Sequence, residues 1–224
     1  MRTLVFLHGA LGCSSHWRSV TELLSGDFEI HCPDFPEHGN GKVHTGSYTL
    51  SDLTRFIEDY VSENELRDYI LIGYSMGGYA ALKFASGKPQ HLKGLITIAT
   101  KMNWSETIAE NEIANINQEK LQPILLKLQS EHGSNWPALI GNTHSILRSI
   151  GKSPLSNEEL CGIDVPLFVL RGERDKMVSA EECSMLSEIV SGSEYMELEG
   201  QGHLLERMDA VLLAEKLRNL ILKL

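Results

Sequence analysis

The chain has 224 residues, 42% of them hydrophobic and 22% charged, enough to bury one sizeable core and ordinary for a soluble globular protein. A formal net charge of −10 argues against nucleic acid or an anionic membrane surface as a partner, since both reward basic patches. Cys13, Cys32, Cys161 and Cys183 are scattered without a C-x-x-C pair. That spacing argues against a disulfide framework or a zinc knuckle and suits a reducing, cytoplasmic setting.

In chain order, "TLVFL" (3–7) is a short apolar run followed by glycine, the pattern of a strand buried on both faces. It is not read as a signal peptide, because His8 breaks the run and only Arg2 precedes it. A helix is expected from Ser14 or Ser15 to Ser25, stopped by Gly26, and "FEIHCPD" (28–34) reads as the next strand. A Gly- and His-rich loop follows, then a helix over 51–61 with Leu53, Phe56, Ile57, Tyr60 and Val61 on one face. Next come strand 69–73, helix 76–86 ended by Gly87, and strand 92–99.

Residues 101–163 interrupt this alternation with helical patterns only: "ETIAENEIANI", "KLQPILLKLQSEH", "WPALIGNTHSILRSI" and "SNEELCG". The strand–helix units then resume, with strand 166–172, a helix near 179–190, strand 194–200 and a C-terminal helix from about Glu206. The expected architecture is α/β, one domain over 1–224 with a mostly parallel sheet covered on both faces. Residues 101–163 are read as a helical cap insertion. No run approaches the roughly 18 apolar residues of a membrane span.

The chemistry concentrates in "LIGYSMGGYAAL" (71–82), where Gly73-Tyr74-Ser75-Met76-Gly77 forms G-x-S-x-G at a strand-to-helix junction. A chain of this size meets that pentapeptide by chance on the order of once in ten. The junction is what gives it meaning, because a sharp turn there lifts the serine above the sheet and aims helix N–H groups at a developing oxyanion. A serine hydroxyl needs a base and an orienting carboxylate to become a nucleophile. In a parallel sheet such groups gather at the carboxyl ends of strands. His203, in "EGQGHLLE", lies past the last strand, and Asp175, in "RGERDKMVS", past the preceding one. Glu173, Asp164 and Glu199 are alternative acids on position alone. The loop "LHGALG" (7–12) offers the N–H of Ala10 beside that of Met76 as a pair of oxyanion donors.

Five motifs in order, "LHGALG", "PDFPEHG", "GYSMGG", "RGERD" and "GQGH", resemble the landmarks of the α/β-hydrolase family from residue 7 to residue 203. The resemblance implies Ser75 as nucleophile, Asp175 and His203 as acid and base, and Ala10 and Met76 as oxyanion donors. It implies an α/β-hydrolase fold working without cofactor or metal on a small-molecule ester or thioester, through an acyl-enzyme. Two antiparallel strands usually precede the "HG" strand in this family, whereas here that strand begins at residue 3. A trimmed sheet of about six strands is expected. The "LVFLHG…W" start and the helical insertion also resemble the small-molecule lyases of this fold, such as 2-succinyl-6-hydroxy-2,4-cyclohexadiene-1-carboxylate synthase. A non-catalytic binding protein on the same scaffold is the third reading.

Around the motifs, Leu11, Tyr74, Trp104 and Leu204 are the expected pocket walls, while Trp17 and Trp136 read as packing residues. His8 reads as a structural histidine that orients the oxyanion turn. Asp34, Glu37, His38 and His44 lack any established metal-ligand spacing, and Cys13 reads as a small buried residue. A substrate with several carboxylates would need inward-facing cations, for which the insertion offers Lys101, Lys120, Lys127, Arg148 and Lys152.

Overall fold

A computed structural model describes residues 1–41 and 48–224, with only the backbone of Gln118. His44 therefore lies outside the described residues. The strands are β1 (Arg2–Leu7), β2 (Phe28–His31), β3 (Tyr69–Tyr74), β4 (Leu92–Ile98), β5 (Leu167–Gly172) and β6 (Glu194–Leu198). They form one six-stranded sheet in the order β2-β1-β3-β4-β5-β6, and every pairing is parallel. The expected sheet of about six strands is thus present.

Side-chain alternation along the strands divides the core into two halves. Val5, Leu7 and Leu71 face one side, where they meet α2 (Leu50–Glu63), α3 (Met76–Ser86) and α9 (Ala180–Ile189). Leu4, Phe6, Ile70 and Ile72 face the other, against α1 (Arg18–Leu24) and α10 (Ala210–Ile221). With both faces covered, the central strands carry almost unbroken apolar runs, which made them readable.

Between β4 and β5 the described residues form α4 (Glu106–Asn115), α5 (Gln118–Leu121), α6 (Leu125–His132), α7 (Trp136–Lys152) and α8 (Asn157–Cys161). The long helix α7 sends Ile146 and Ile150 into the core half that contains α2 and α3, and the Ser149 hydroxyl accepts the Leu50 N–H at 3.0 Å. This seats the helical segment over the carboxyl end of the sheet.

Several element ends differ from expectation for local reasons. The stretch 120–132 is two helices rather than one, because Pro123 supplies no N–H to the ladder and a 3-10 turn (Gln122–Ile124) intervenes. Strand β2 ends at His31, short of Pro33. The helix expected from Ser14 starts as a 3-10 turn (Ser14–Trp17) before α1. The C-terminal helix begins at Ala210 rather than Glu206, because the Asp209 carboxylate caps it by accepting the N–H groups of Val211 and Leu212.

Candidate active site

The strand order reverses at β1, with β2 on one side and β3 on the other, so the crevice past the carboxyl ends of β1 and β3 is the topological switch point. Leu7 pairs with Gly73, which brings the loop carrying Ala10 beside the turn carrying Ser75.

Ser75 has φ 51° and ψ −115°, a left-handed conformation that a non-glycine residue adopts only when its surroundings enforce it. Here the Ser75 N–H donates to the Ile98 carbonyl at 2.9 Å, and its carbonyl accepts the Tyr79 N–H at 3.1 Å. The glycines permit the close approach. A Cβ on Gly73 would stand 2.5 Å from the Gly78 Cα, and one on Gly77 would stand 2.5 Å from the His8 carbonyl oxygen. Helix α3 therefore begins directly against the end of β1, with the Met76 N–H in its first turn.

His203 Nδ1 lies 2.8 Å from Asp175 Oδ2. The other carboxylate oxygen accepts the N–H groups of Met177 at 2.8 Å and Val178 at 3.0 Å. Burial would push this carboxyl up, but the hydrogen bond and charge of His203 and those two N–H groups outweigh it and hold the carboxyl below its ordinary range. The two loops meet because Gly172 leaves no side chain, so the 201–202 backbone packs against the end of β5 and the Arg174 N–H reaches the Gln201 carbonyl at 2.8 Å. The alternative acids are engaged elsewhere: Glu173 accepts the Gly200 N–H, Asp164 faces Lys88, and Glu199 is exposed.

Three further residues support these loops, of which motif reading singled out only His8. Arg171 is 8% exposed and donates to the carbonyls of Val178 and Asp175 while pairing with Glu197 at 2.7 Å, which fixes the acid-bearing turn. His8 is fully buried: its Nε2 accepts the Phe35 N–H, and its Nδ1 lies 2.9 Å from the Gly9 carbonyl oxygen, where the N–H of that tautomer donates. Burial holds its pKa at about 3, so it is a neutral strut, as expected from its position. His132 of α6 accepts the Gly39 N–H at 2.8 Å and bonds the Leu11 carbonyl at 3.1 Å, tying the helical segment to the loop that follows β1. Its burial likewise lowers its pKa.

Ser75 and His203 open into one cavity of about 90 Å³. Its walls include Ala10, Met76, Tyr79, Trp104, Ile116, Leu147 and Ile150, and its only described cation is Lys101, 3.9 Å from Glu112. Of the expected walls, Trp104 is present and the other three are not. Tyr74 lies one strand position before Ser75, so the alternation of β3 turns it away. Its ring packs instead on His203 (centroids 5.6 Å apart) and Trp17. Leu204 is 46% exposed, and Leu11, at φ 56°, contributes its carbonyl to His132. Among the insertion's other cations, Lys120 bonds Asn115, Lys127 pairs with Glu206 and Arg148 pairs with Glu110, while Lys152 is exposed.

Of Asp34, Glu37, His38 and His44, the first three are described, and each is engaged by neighbouring backbone or side-chain groups. Asp34 accepts the N–H groups of Ser14 and Asn40, Glu37 accepts from Asn142, and His38 bonds the Pro36 carbonyl. Among the described residues, the donor atoms of Cys13, His16 and Glu131 lie within 4.8 Å of one another. His16 is already engaged there by Glu131 at 3.0 Å and Glu206 at 3.6 Å. All four cysteines are free, and no described helix is long and apolar enough to cross a membrane.

A serine on a strained turn, an imidazole held by a buried carboxylate and the backbone at Ala10 and Met76 beside the same cavity are together equipped for acyl transfer or for proton abstraction. A family described as alpha/beta hydrolase fold matches residues 2–123. The chain is 28% identical over 197 residues to a 2-succinyl-6-hydroxy-2,4-cyclohexadiene-1-carboxylate synthase of Yersinia enterocolitica, covering 77% of this chain and 71% of that protein. In structure it is similar to an enol-lactonase from Burkholderia xenovorans, with TM-score 0.82 and 18% identity over 98% of this chain and 91% of the other. It is equally similar to a thermophilic esterase from Thermogutta terrifontis, with TM-score 0.81 and 19% identity over 100% and 90% of the two chains.

Proposed function

The chain belongs to the alpha/beta hydrolase fold family, and from that premise we propose that it is a serine hydrolase cleaving a carboxylic ester or thioester with a short apolar acyl group. His203 takes the proton of Ser75 as its oxygen attacks the carbonyl, and Asp175 holds the imidazole tautomer and stabilises its charge. The N–H groups of Ala10 and Met76 receive the oxyanion. His203 then protonates the leaving alcohol or thiol, and the same histidine activates the water that releases the acid. Residues 101–163 act as the cap that walls the acyl site.

The observation that carries this reading is the cavity itself. It joins Ser75, His203, Ala10 and Met76 to walls of Trp104, Ile116, Leu147 and Ile150. At about 90 Å³ it is smaller than the roughly 150 Å³ cavity that accepts benzene, so it suits an acyl group of a few carbons. Ser75→Ala should abolish hydrolysis of p-nitrophenyl butyrate in folded protein, and a fluorophosphonate should label Ser75 in the parent. Full residual activity in the variant would sink the assignment.

A second reading, a lyase in which the same residues abstract a proton, is favoured by the 28% identity to the Yersinia enterocolitica synthase. Its weakness is the wall chemistry: Lys101 is the one described cation in the cavity, and Glu112 offsets it. Mass-spectrometric trapping of an acyl group on Ser75 separates the two readings.

A further inference from the structure

Next to the Ser75 cavity lies a second and larger one, of about 400 Å³. It sits between the start of the helical segment and α9, and its apolar walls include Met102, Leu155, Leu160, Met185, Leu186 and Ile189. Among the described residues, Trp104 is the one side chain that lines both cavities. The ring meets Tyr79 edge to face at 6.4 Å, its N–H donates to the Lys101 carbonyl at 2.9 Å, and the Tyr79 hydroxyl bonds the Leu155 N–H at 2.8 Å on the outer side. The backbone just before Trp104 is pinned from α9. One Glu182 oxygen accepts the N–H groups of Met102 and Asn103, at 2.9 and 2.8 Å, and the other accepts the Ser179 N–H.

We propose that the outer cavity is a subsite for the distal part of a longer aliphatic acyl chain, and that Trp104 is the specificity-determining residue that closes it off from Ser75. This rests on the hydrolase reading above. An acyl chain of a few carbons fills the inner cavity. The next methylenes must pass the indole, and beyond it they meet apolar side chains with room for a medium-length tail. Acidic groups, Glu181 and Glu182, are the only described charges on the outer walls, and they disfavour a carboxylate terminus there. The occupant the chemistry fits is therefore an unbranched hydrocarbon tail rather than a dicarboxylate.

Each buried methylene is worth about fourfold in binding, so four further methylenes could give on the order of a hundredfold, of which ordering the chain removes part. The test compares kcat/KM for p-nitrophenyl butyrate and octanoate. In the parent the ratio of octanoate to butyrate is low, and in Trp104→Ala it rises at least tenfold. Adding Met185→Trp, which places a bulky ring among the residues lining the outer cavity, returns the ratio to within about threefold of the parent. An unchanged ratio in folded, active Trp104→Ala overturns the subsite and leaves the hydrolase reading standing. So does a gain that survives Met185→Trp, because the tail then goes elsewhere. If the parent turns over no ester and Ser75 resists the fluorophosphonate, the hydrolase reading has failed by itself. Decanoate binding by calorimetry then decides the subsite: at least tenfold tighter binding in Trp104→Ala supports it, and equal affinity overturns it.

Discussion

Asp175→Asn separates the orienting role of this carboxylate from its bulk. One oxygen of Asp175 accepts two N–H groups, those of Met177 and Val178, and the other faces His203 Nδ1 at 2.8 Å. In the asparagine variant the amide oxygen must stay with the two N–H groups. The flipped rotamer would set an NH₂ against both donors and leave them unsatisfied, at about 1–3 kcal/mol each. The amide nitrogen is thereby forced onto Nδ1, which must become the acceptor. The imidazole proton moves to Nε2, the atom needed to take the proton of Ser75. The expected loss is about 10³- to 10⁴-fold in kcat, equivalent to about 4–5.5 kcal/mol of barrier. KM should change little, because Asp175 is not among the cavity walls. The assay is steady-state hydrolysis of p-nitrophenyl butyrate, with thermal unfolding followed by circular dichroism to establish that the fold is intact. A folded variant retaining more than a tenth of the parent kcat would refute the tautomer argument.

Two further outcomes follow from the packing of the same loops. Gly77→Ala places a Cβ 2.5 Å from the His8 carbonyl and 2.6 Å from that of Leu7, both backbone atoms, so α3 must shift off the first loop. Urea denaturation should show a loss of about 1–3 kcal/mol, together with a fall in kcat as the Met76 N–H moves, and a variant of parental stability and activity would contradict the close approach. The second outcome is a pH dependence of stability set by His8, His38 and His132, all of which burial holds below the ordinary histidine range. The His8 and His38 ring centroids lie 4.7 Å apart and those of His38 and His132 6.0 Å apart, and each folded-state pKa is depressed. The unfolded chain therefore takes up protons that the folded one cannot. Stability is full above about pH 6.5 and is lost as pH falls below it, about 2 kcal/mol by pH 5 from His8 alone. Urea unfolding at pH 7.5 and 5.0 measures this, and equal or greater stability at pH 5.0 would contradict the sign.

What could be read along the chain was the chemistry that backbone geometry holds at strand ends. "LHGALG" and "GYSMGG" follow the apolar strands β1 and β3, "GQGH" follows the edge strand β6, and a parallel sheet delivers such loops to one edge whatever else the chain does. The choice of Asp175 over Glu173 needed one more level, because both are post-strand acids and only the turn that Arg171 fixes decides which one faces His203. The walls were not legible, for a different reason. Leu11, Tyr74 and Leu204 are neighbours of candidate site residues along the chain, but adjacency does not set direction, and β3 turns Tyr74 into the core half that holds Ile70 and Ile72. Ile116, Leu147 and Ile150 reach the cavity through the packing of α4 against α7, and His132 meets Leu11 across 121 residues. The insertion's cations make the same point, since Lys101 alone faces inward and its direction depends on the Met177 carbonyl and Glu112 from other elements. The candidate chemical groups are therefore written locally in this chain, while the walls of the cavity beside them are written in long-range contacts. A change of acyl preference should accordingly come from Trp104 and the helices around it, without alteration of any of the loops that carry Ser75, Asp175 or His203.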